Sequence, residues 1–299
     1  MRSLIKRTGK LNKSFKRAKR VSALYMIPSV AGVLLFFVLP FLVVIYYSVV
    51  NNPVKKEFVF LDNFKAVIAN KAFRLAVLNT VKFSVVSVPL VVLLSLMIAV
   101  ILTADLPGKS RIRSALLSPM MVPIASVILI WQVLFHYNGV VNEFLSRFDV
   151  GKIDWFNSDY AQVIIIILFV WKNLGYNMVL FMAALAAVPA ELIEVACLEG
   201  ANKWKIFLHI KVRYMSSSIL FVTILSIINS FKVFREIYLL TGDYPYDSLY
   251  MLQHYMNNMF RSLDYQRLSA AAILMSLVMI VLIGVLFIIE NVFGRDIEG

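Results

Sequence analysis

The chain is predicted to be an all-α membrane protein with six transmembrane helices and a polar loop, 188–215, between the fourth and the fifth. Three observations carry this. Of 299 residues, 61% are hydrophobic and only 16% charged, at a mean hydropathy of +0.81, far outside the range of a water-soluble domain. Six stretches, near 22–48, 77–103, 115–136, 161–187, 216–240 and 267–291, each hold about 20 or more mainly apolar residues, enough for a helix to cross a bilayer. Lys and Arg divide unevenly between alternate connecting segments, seventeen against eight, and the richer set contains the N-terminal tail, the 188–215 loop and the C-terminus. By the positive-inside rule both termini and that loop are cytoplasmic.

The first span follows a tail carrying nine Lys/Arg and no acid. Its apolar run is too long for a signal peptide and lacks a small-residue cleavage site, so it reads as an uncleaved span. Residues 1–21 are expected to form a basic cytoplasmic tail, and 22–299 a single six-helix transmembrane domain. The net charge of +13 then reflects topology and attraction to anionic lipid. Nucleic acid is excluded as a partner, because no soluble basic surface interleaved with aromatics exists for it. The outer segments are short. Between the first two spans, Phe60–Phe64 opens an amphipathic helix expected to continue through 66–76, with Phe64, Val67, Ile68 and Leu75 on its apolar face. Trp131, Phe135, Tyr137 and Trp155 gather at an outer boundary, as interface belts do.

The third span runs as one helix over 115–136, and the fourth carries Trp171-Lys-Asn-Leu-Gly-Tyr-Asn177 near its middle. After it, Pro189 suits the first turn of a short helix, with Glu191 and Glu194 where the helix dipole favours carboxylates. Gly200 can take the left-handed conformation that ends this helix. A second begins at Lys203, with Trp204, Phe207 and Leu208 on one side. Aromatic residues on a water-side loop imply that another protein covers them. The single cysteine, Cys197, reads as packing.

Glu194-Val-Ala196, Gly200-Ala201, Trp204, Phe207 and Ile210 resemble the EAA loop of ABC importer permeases, with Val195, Glu199 and Arg213 departing from the family pattern. The resemblance extends upstream through Asn79-Thr80, Pro89, Arg111, Arg113, Pro119, Pro123, Trp131, Phe135, Gly139 and Asn142. Downstream it takes in Leu239–Pro245, where Asp243 and Tyr244 replace glycines, and Asp264-Tyr265 with Leu268–Ala271. It is similar to the sugar-type permeases, in particular the relatives of the larger maltose-transporter permease. That resemblance implies a multi-pass subunit of a bacterial or archaeal cytoplasmic membrane that imports a sugar or oligosaccharide. The implied partners are a second homologous permease, a cytoplasmic ATPase dimer, an extracytoplasmic solute-binding protein, the sugar and membrane lipids. Glu191, Glu194, Ala196, Glu199, Gly200, Ala201, Trp204 and Phe207 would couple the loop to the ATPase. No cofactor is expected in this chain, ATP and Mg being bound by the ATPase.

Polar groups inside a bilayer are costly and usually face a cavity or a partner. Asn173 and Asn177, beside Gly175 on the fourth span, and Ser226, Asn229 and Ser230, on one stripe of the fifth with Val233, offer hydroxyl partners; the resemblance implies that both stretches line a sugar site and that Ser226, Asn229, Ser230 and Val233 stand at its contact positions. The same Asn and Ser residues would also serve helix–helix hydrogen bonding. Lys172 could meet an acid of the cargo or of a partner, while Lys82, Arg235 and Glu236 are expected to reach the interface. Gly108-Lys-Ser110 is not a phosphate loop, since Thr103 stands where its first glycine would be. The three histidines are scattered without metal-ligand spacing, and no nucleophile–base set occurs, so neither a metal site nor an enzyme is expected. The rival class is an ion-coupled secondary transporter or channel without an ATPase. It would want central carboxylates or an inverted repeat, and the spans show neither.

Overall fold

The computed structural model describes residues 25–51, 57–104 and 107–294, so the basic tail 1–21 lies outside the described residues. Among those described there is no strand, only a single bridge between Val50 and Phe58. The helices are α1 (Tyr25–Ser48), α2 (Asp62–Ala69), α3 (Lys71–Thr103), α4 (Lys109–Met121), α5 (Ile124–Leu134), α6 (Val140–Ser146) and α7 (Ala161–Ala186). They continue as α8 (Ala190–Leu198), α9 (Lys203–Ile206), α10 (Ser216–Phe231), α11 (Phe234–Thr241), α12 (Leu252–Arg261) and α13 (Tyr265–Gly294). Among the described residues there are five membrane-length apolar helices, and a sixth span if the bent pair α4 and α5 is taken as one. The chain divides by proximity into two units, Met1–Lys65 with Tyr265–Leu274, and Ala66–Asp264 with Met275–Gly299.

In the first unit α1 is closed at its C-terminal end by a side chain distant in sequence. Asn63 donates from Nδ2 to the carbonyls of Ser48, 2.9 Å, and Val50, 2.8 Å, satisfying acceptors that a helix end leaves open. The Tyr47 and Tyr265 rings lie 6.3 Å apart.

The second unit is built on α3 and α7, which pack along their lengths with α10 and α4 against them. Its core takes Phe83, Val91, Ile165, Met178, Phe181, Val222 and Ile237, all essentially inaccessible. Phe83 meets Phe169 edge-on at 5.4 Å, an arrangement aromatic pairs favour. Ser95 on α3 donates to the Leu174 carbonyl on α7 at 3.1 Å. Asn79 donates to the carbonyls of Asp247 and Tyr250, at 2.5 and 3.1 Å, and the Thr80 hydroxyl accepts from the Leu252 amide at 2.9 Å. Two adjacent side chains of α3 thereby fasten the segment that follows α11.

Three expectations require correction. The helix expected through 66–76 breaks at Asn70, whose carboxamide oxygen accepts from the amides of Ala72 and Phe73, so α2 stops there and α3 starts six residues before the expected 77. The third span is two helices meeting at 99°, not one over 115–136. Val122 is extended, φ −82° and ψ 133°, because the ring of Pro123 disfavours helical backbone in the residue before it. Finally, the aromatic girdle is in large part internal. Trp131 is buried, stacks on Phe135 at 5.1 Å and lies 6.3 Å from Trp171, while the Trp155 indole donates to Asn142 Oδ1 at 3.0 Å. Asn142 is itself buried. It accepts from the Ile153 amide and donates to the carbonyls of Tyr137 and Ile153, tying the 137–155 connection together.

The segment after α11 holds two titrating features. The Arg261 guanidinium donates to Asp243 and, by that bond and its charge, holds the carboxyl below the ordinary range. Among the described residues of this turn only Gly242 needs positive φ, 82°, so side chains at Asp243 and Tyr244 cost the backbone nothing. His254 is buried, its Nδ1 accepts from the Met251 amide at 3.2 Å, and burial pushes its pKa down to about 4 against the pull of Asp243. The unfolded chain would protonate it near 6.5, so stability is full above that value and is lost as pH falls toward 4, on the order of 3 kcal/mol in all. Thermal melting of the detergent-solubilised protein should drop steadily between pH 6.5 and 5. A His254→Gln variant, which carries no charge, should melt at nearly constant temperature across that interval.

Candidate functional site

Two regions concentrate the residues singled out by sequence. In the 188–215 loop, α8 starts directly after Pro189, which serves as its N-cap, with Glu191 in the first turn. The helix ends at Gly200, φ 80°, where the amide of Ala201 reaches back to the Ala196 carbonyl at 2.9 Å and that of Gly200 to Cys197 at 3.1 Å. This is the left-handed termination that glycine permits at no steric cost. Asn202 then caps α9, its side chain accepting from the Lys205 amide at 2.8 Å. Downstream, the expected helix passes through a π-helical turn, Phe207–Lys211, before Val212–Tyr214. Ala196, Ala201 and Phe207 are half-buried, and Glu191, Glu194, Glu199, Gly200 and Trp204 are exposed. So is Cys197, which corrects its reading as a packed residue. Leu198 is 89% and Trp204 70% exposed, with the Trp204 ring edge-on to Phe207 at 6.0 Å. Large apolar side chains this open on a polar loop are a surface awaiting cover.

The second region is a cavity of about 380 Å³ between α7 and the α10–α11 pair. The latter form one span broken at Lys232 and Val233, where backbone bonds shift to the three-residue type: Lys232 amide to Asn229 at 3.1 Å and Glu236 amide to Val233 at 3.1 Å. Of the seven residues expected to meet cargo, Asn173, Asn229 and Val233 line this cavity, and Asn229 donates to Asn173 Oδ1 at 3.2 Å. The other four sit in helix contacts. Asn177 donates to Ser226 at 2.9 Å with both buried, Ser230 shares a hydrogen bond with Ser84 at 2.8 Å, and Gly175 lies against the backbone of Leu116 on α4.

Sequence reasoning missed two members: Arg235, expected at the interface, borders the cavity, and so does its neighbour. Glu236, expected at the interface, is buried inside the Ser216–Thr241 span and pairs with Lys172 at 2.5 Å. The spans therefore do contain an acidic side chain, contrary to the expectation drawn against ion coupling, but its charge is met by lysine. The signal was available as two lone charges of opposite sign on neighbouring spans, each too far from the helix end to snorkel cheaply. Glu236→Gln should lower stability by about 2 kcal/mol, below the usual cost of breaking a buried pair because the Lys172 side chain keeps 32% exposure. In a double-mutant cycle read by thermal melting, Lys172→Met with Glu236→Gln should recover most of that loss. Strict additivity would mean the pair is not formed.

A model of binding-protein-dependent transport system inner membrane components matches residues 20–299. The trehalose/maltose transport system permease protein MalF of Thermococcus litoralis is 30% identical over 286 residues, 94% of this chain and 96% of its own. The sulfoquinovosyl glycerol transport system permease protein SmoG of Agrobacterium fabrum is 30% identical over 264 residues, 85% of each chain. In fold, the chain is similar to one in the crystal structure of a bacterial alginate ABC transporter in complex with alginate pentasaccharide-bound periplasmic protein. The TM-score is 0.78 at 19% identity, covering 95% of this chain and 97% of that one.

Proposed function

The chain belongs to the family of binding-protein-dependent transport system inner membrane components, a multi-pass membrane permease, and on that premise we propose that it is one of two homologous membrane subunits of an ATP-driven saccharide importer. The observation that carries this is the helix–glycine–helix loop with Leu198 and Trp204 laid open on its surface. Such a face fits a groove on a cytoplasmic ATPase dimer. Glu191, Glu194, Glu199 and Gly200 would shape the contact, Trp204 would fill it, and Ala196, Ala201 and Phe207 would hold the two helices together. ATP and magnesium belong to that ATPase, and this chain performs no bond chemistry. Its basic segments support a topology with both termini on the ATPase side.

The relatives' names, which include trehalose/maltose and sulfoquinovosyl glycerol transport, support a saccharide or glycoside as cargo. A solute-binding protein would deliver it from the opposite side. In the cavity, Asn173 and Asn229 present amide donors and acceptors for hydroxyls, and Phe169 and Tyr176 present aromatic surface for the C–H face of a ring. Asn177, Ser226, Ser230 and Gly175 would act one layer behind, fixing the helices that carry those side chains.

Purification from native membranes in mild detergent tests this. A second permease and an ATPase should be recovered, with ATP hydrolysis stimulated by the binding protein and saccharide. A lone homo-oligomer without ATPase would overturn it.

A further inference from the structure

The cavity wall carries more charge than the recognition of neutral hydroxyls requires. Lys172, Lys232, Arg235 and Glu236 all line it. Glu236 is engaged by Lys172, whereas Lys232 and Arg235 are exposed and have no ion pair among the described residues. Three cations against one carboxylate leave the wall with two net positive charges. Lys172 lies at the middle of Ala161–Ala186, and Lys232 at the break inside Ser216–Thr241. Ionisable groups at such depth are expensive to keep without a counter-charge and mark the path of what they bind.

We propose that the cargo is an anionic saccharide, one bearing a carboxylate, sulfonate or phosphate, and that Lys232 and Arg235 receive that group; the inference rests on the importer reading above. The geometry suits the division of labour. Arg235 offers a planar fork that matches two oxygens of an anion, and Lys232 a compact point charge. Both border the same open volume as the hydrogen-bonded Asn173–Asn229 pair, so charge and hydroxyls of one molecule can be met together. Glu236 holds Lys172 on the α11 side of the cavity and keeps the excess positive charge from growing further. A carboxylate of the second permease is the competing source of neutralisation. The open volume favours the cargo, because about 380 Å³ walled by amides and aromatic rings is room for a small ligand.

The test uses the complete transporter in proteoliposomes with its binding protein. A mixed polysaccharide hydrolysate is split on an anion exchanger into a retained, charged fraction and an unretained, neutral one, and each is assayed for stimulation of ATP hydrolysis. The retained fraction should stimulate and the neutral one should not. The Lys232→Gln/Arg235→Gln double variant should raise the half-saturating concentration about tenfold, equivalent to ~1.4 kcal/mol, while the second permease still co-purifies. Stimulation by the neutral fraction overturns the proposal. So does loss of the second permease from the double variant, which would place the counter-charge on that subunit. Stimulation by neither fraction also overturns it, and if no ATPase co-purifies with the chain either, the importer reading falls too.

Discussion

Replacing Gly200 with arginine is expected to abolish transport and stimulated ATP hydrolysis, a loss of about 100-fold or more, the scale of removing a central interface contact. Insertion and yield should be unchanged. A Cβ at this position meets nothing within 4 Å, so no packing inside the chain is disturbed. Two effects remain. A residue with a side chain at φ 80° costs about 1 kcal/mol and loosens the turn that sets α8 against α9. The arginine itself then adds a long charged side chain to the exposed loop that carries Leu198 and Trp204, where it would bar a close-fitting partner. Gly200→Ala separates the two, because alanine bears the cost of left-handed backbone yet adds little bulk. It should keep most of the activity. Equal loss in both variants would point to the backbone, and full activity in both would remove the loop from the coupling path.

Gly175→Val is expected to have the largest effect on stability. A Cβ built at Gly175 overlaps the backbone carbonyl of Leu116 on α4, and backbone cannot swing aside as a flexible side chain can. The helices must part, and the cost should reach about 3 kcal/mol or more, at the top of what overpacking produces. Small residues are what allow membrane helices this approach, since no hydrophobic drive exists between them in lipid. Melting in detergent should fall by roughly 6–12 °C for a chain of this size. An unchanged melting temperature would mean that α4 does not rest on α7 at this point.

The features most legible in the sequence were those with one-dimensional causes. Hydropathy located all six apolar stretches to within a few residues at most ends, and Pro189 and Gly200 announced the helix–turn–helix of the loop. Pro123 was equally visible. A window counting apolar residues does not register that Val122 must leave the helix, so the 99° break was lost. The cavity was half legible. Asn173 and Asn229 follow from polar residues on facing spans, whereas the partners of Asn177, Ser230 and Glu236 lie 49, 146 and 64 residues away. Which polar group faces open space and which faces another helix depends on rotation about the helix axis, and periodicity alone does not determine that.

The fastening of Asn79 and Thr80 has a consequence for biosynthesis. Their partners are the carbonyl of Asp247 and the amide of Leu252, 168 and 172 residues further along the chain. At about 5–20 residues per second, a ribosome needs roughly 10–30 s to supply them after α3 has been made. For that interval two polar side chains of a newly inserted span go without their final partners. Water or the insertion machinery must satisfy them until the last fifth of the polypeptide arrives, so maturation is gated by translation, and truncation before residue 247 should leave α3 exposed to quality-control proteolysis.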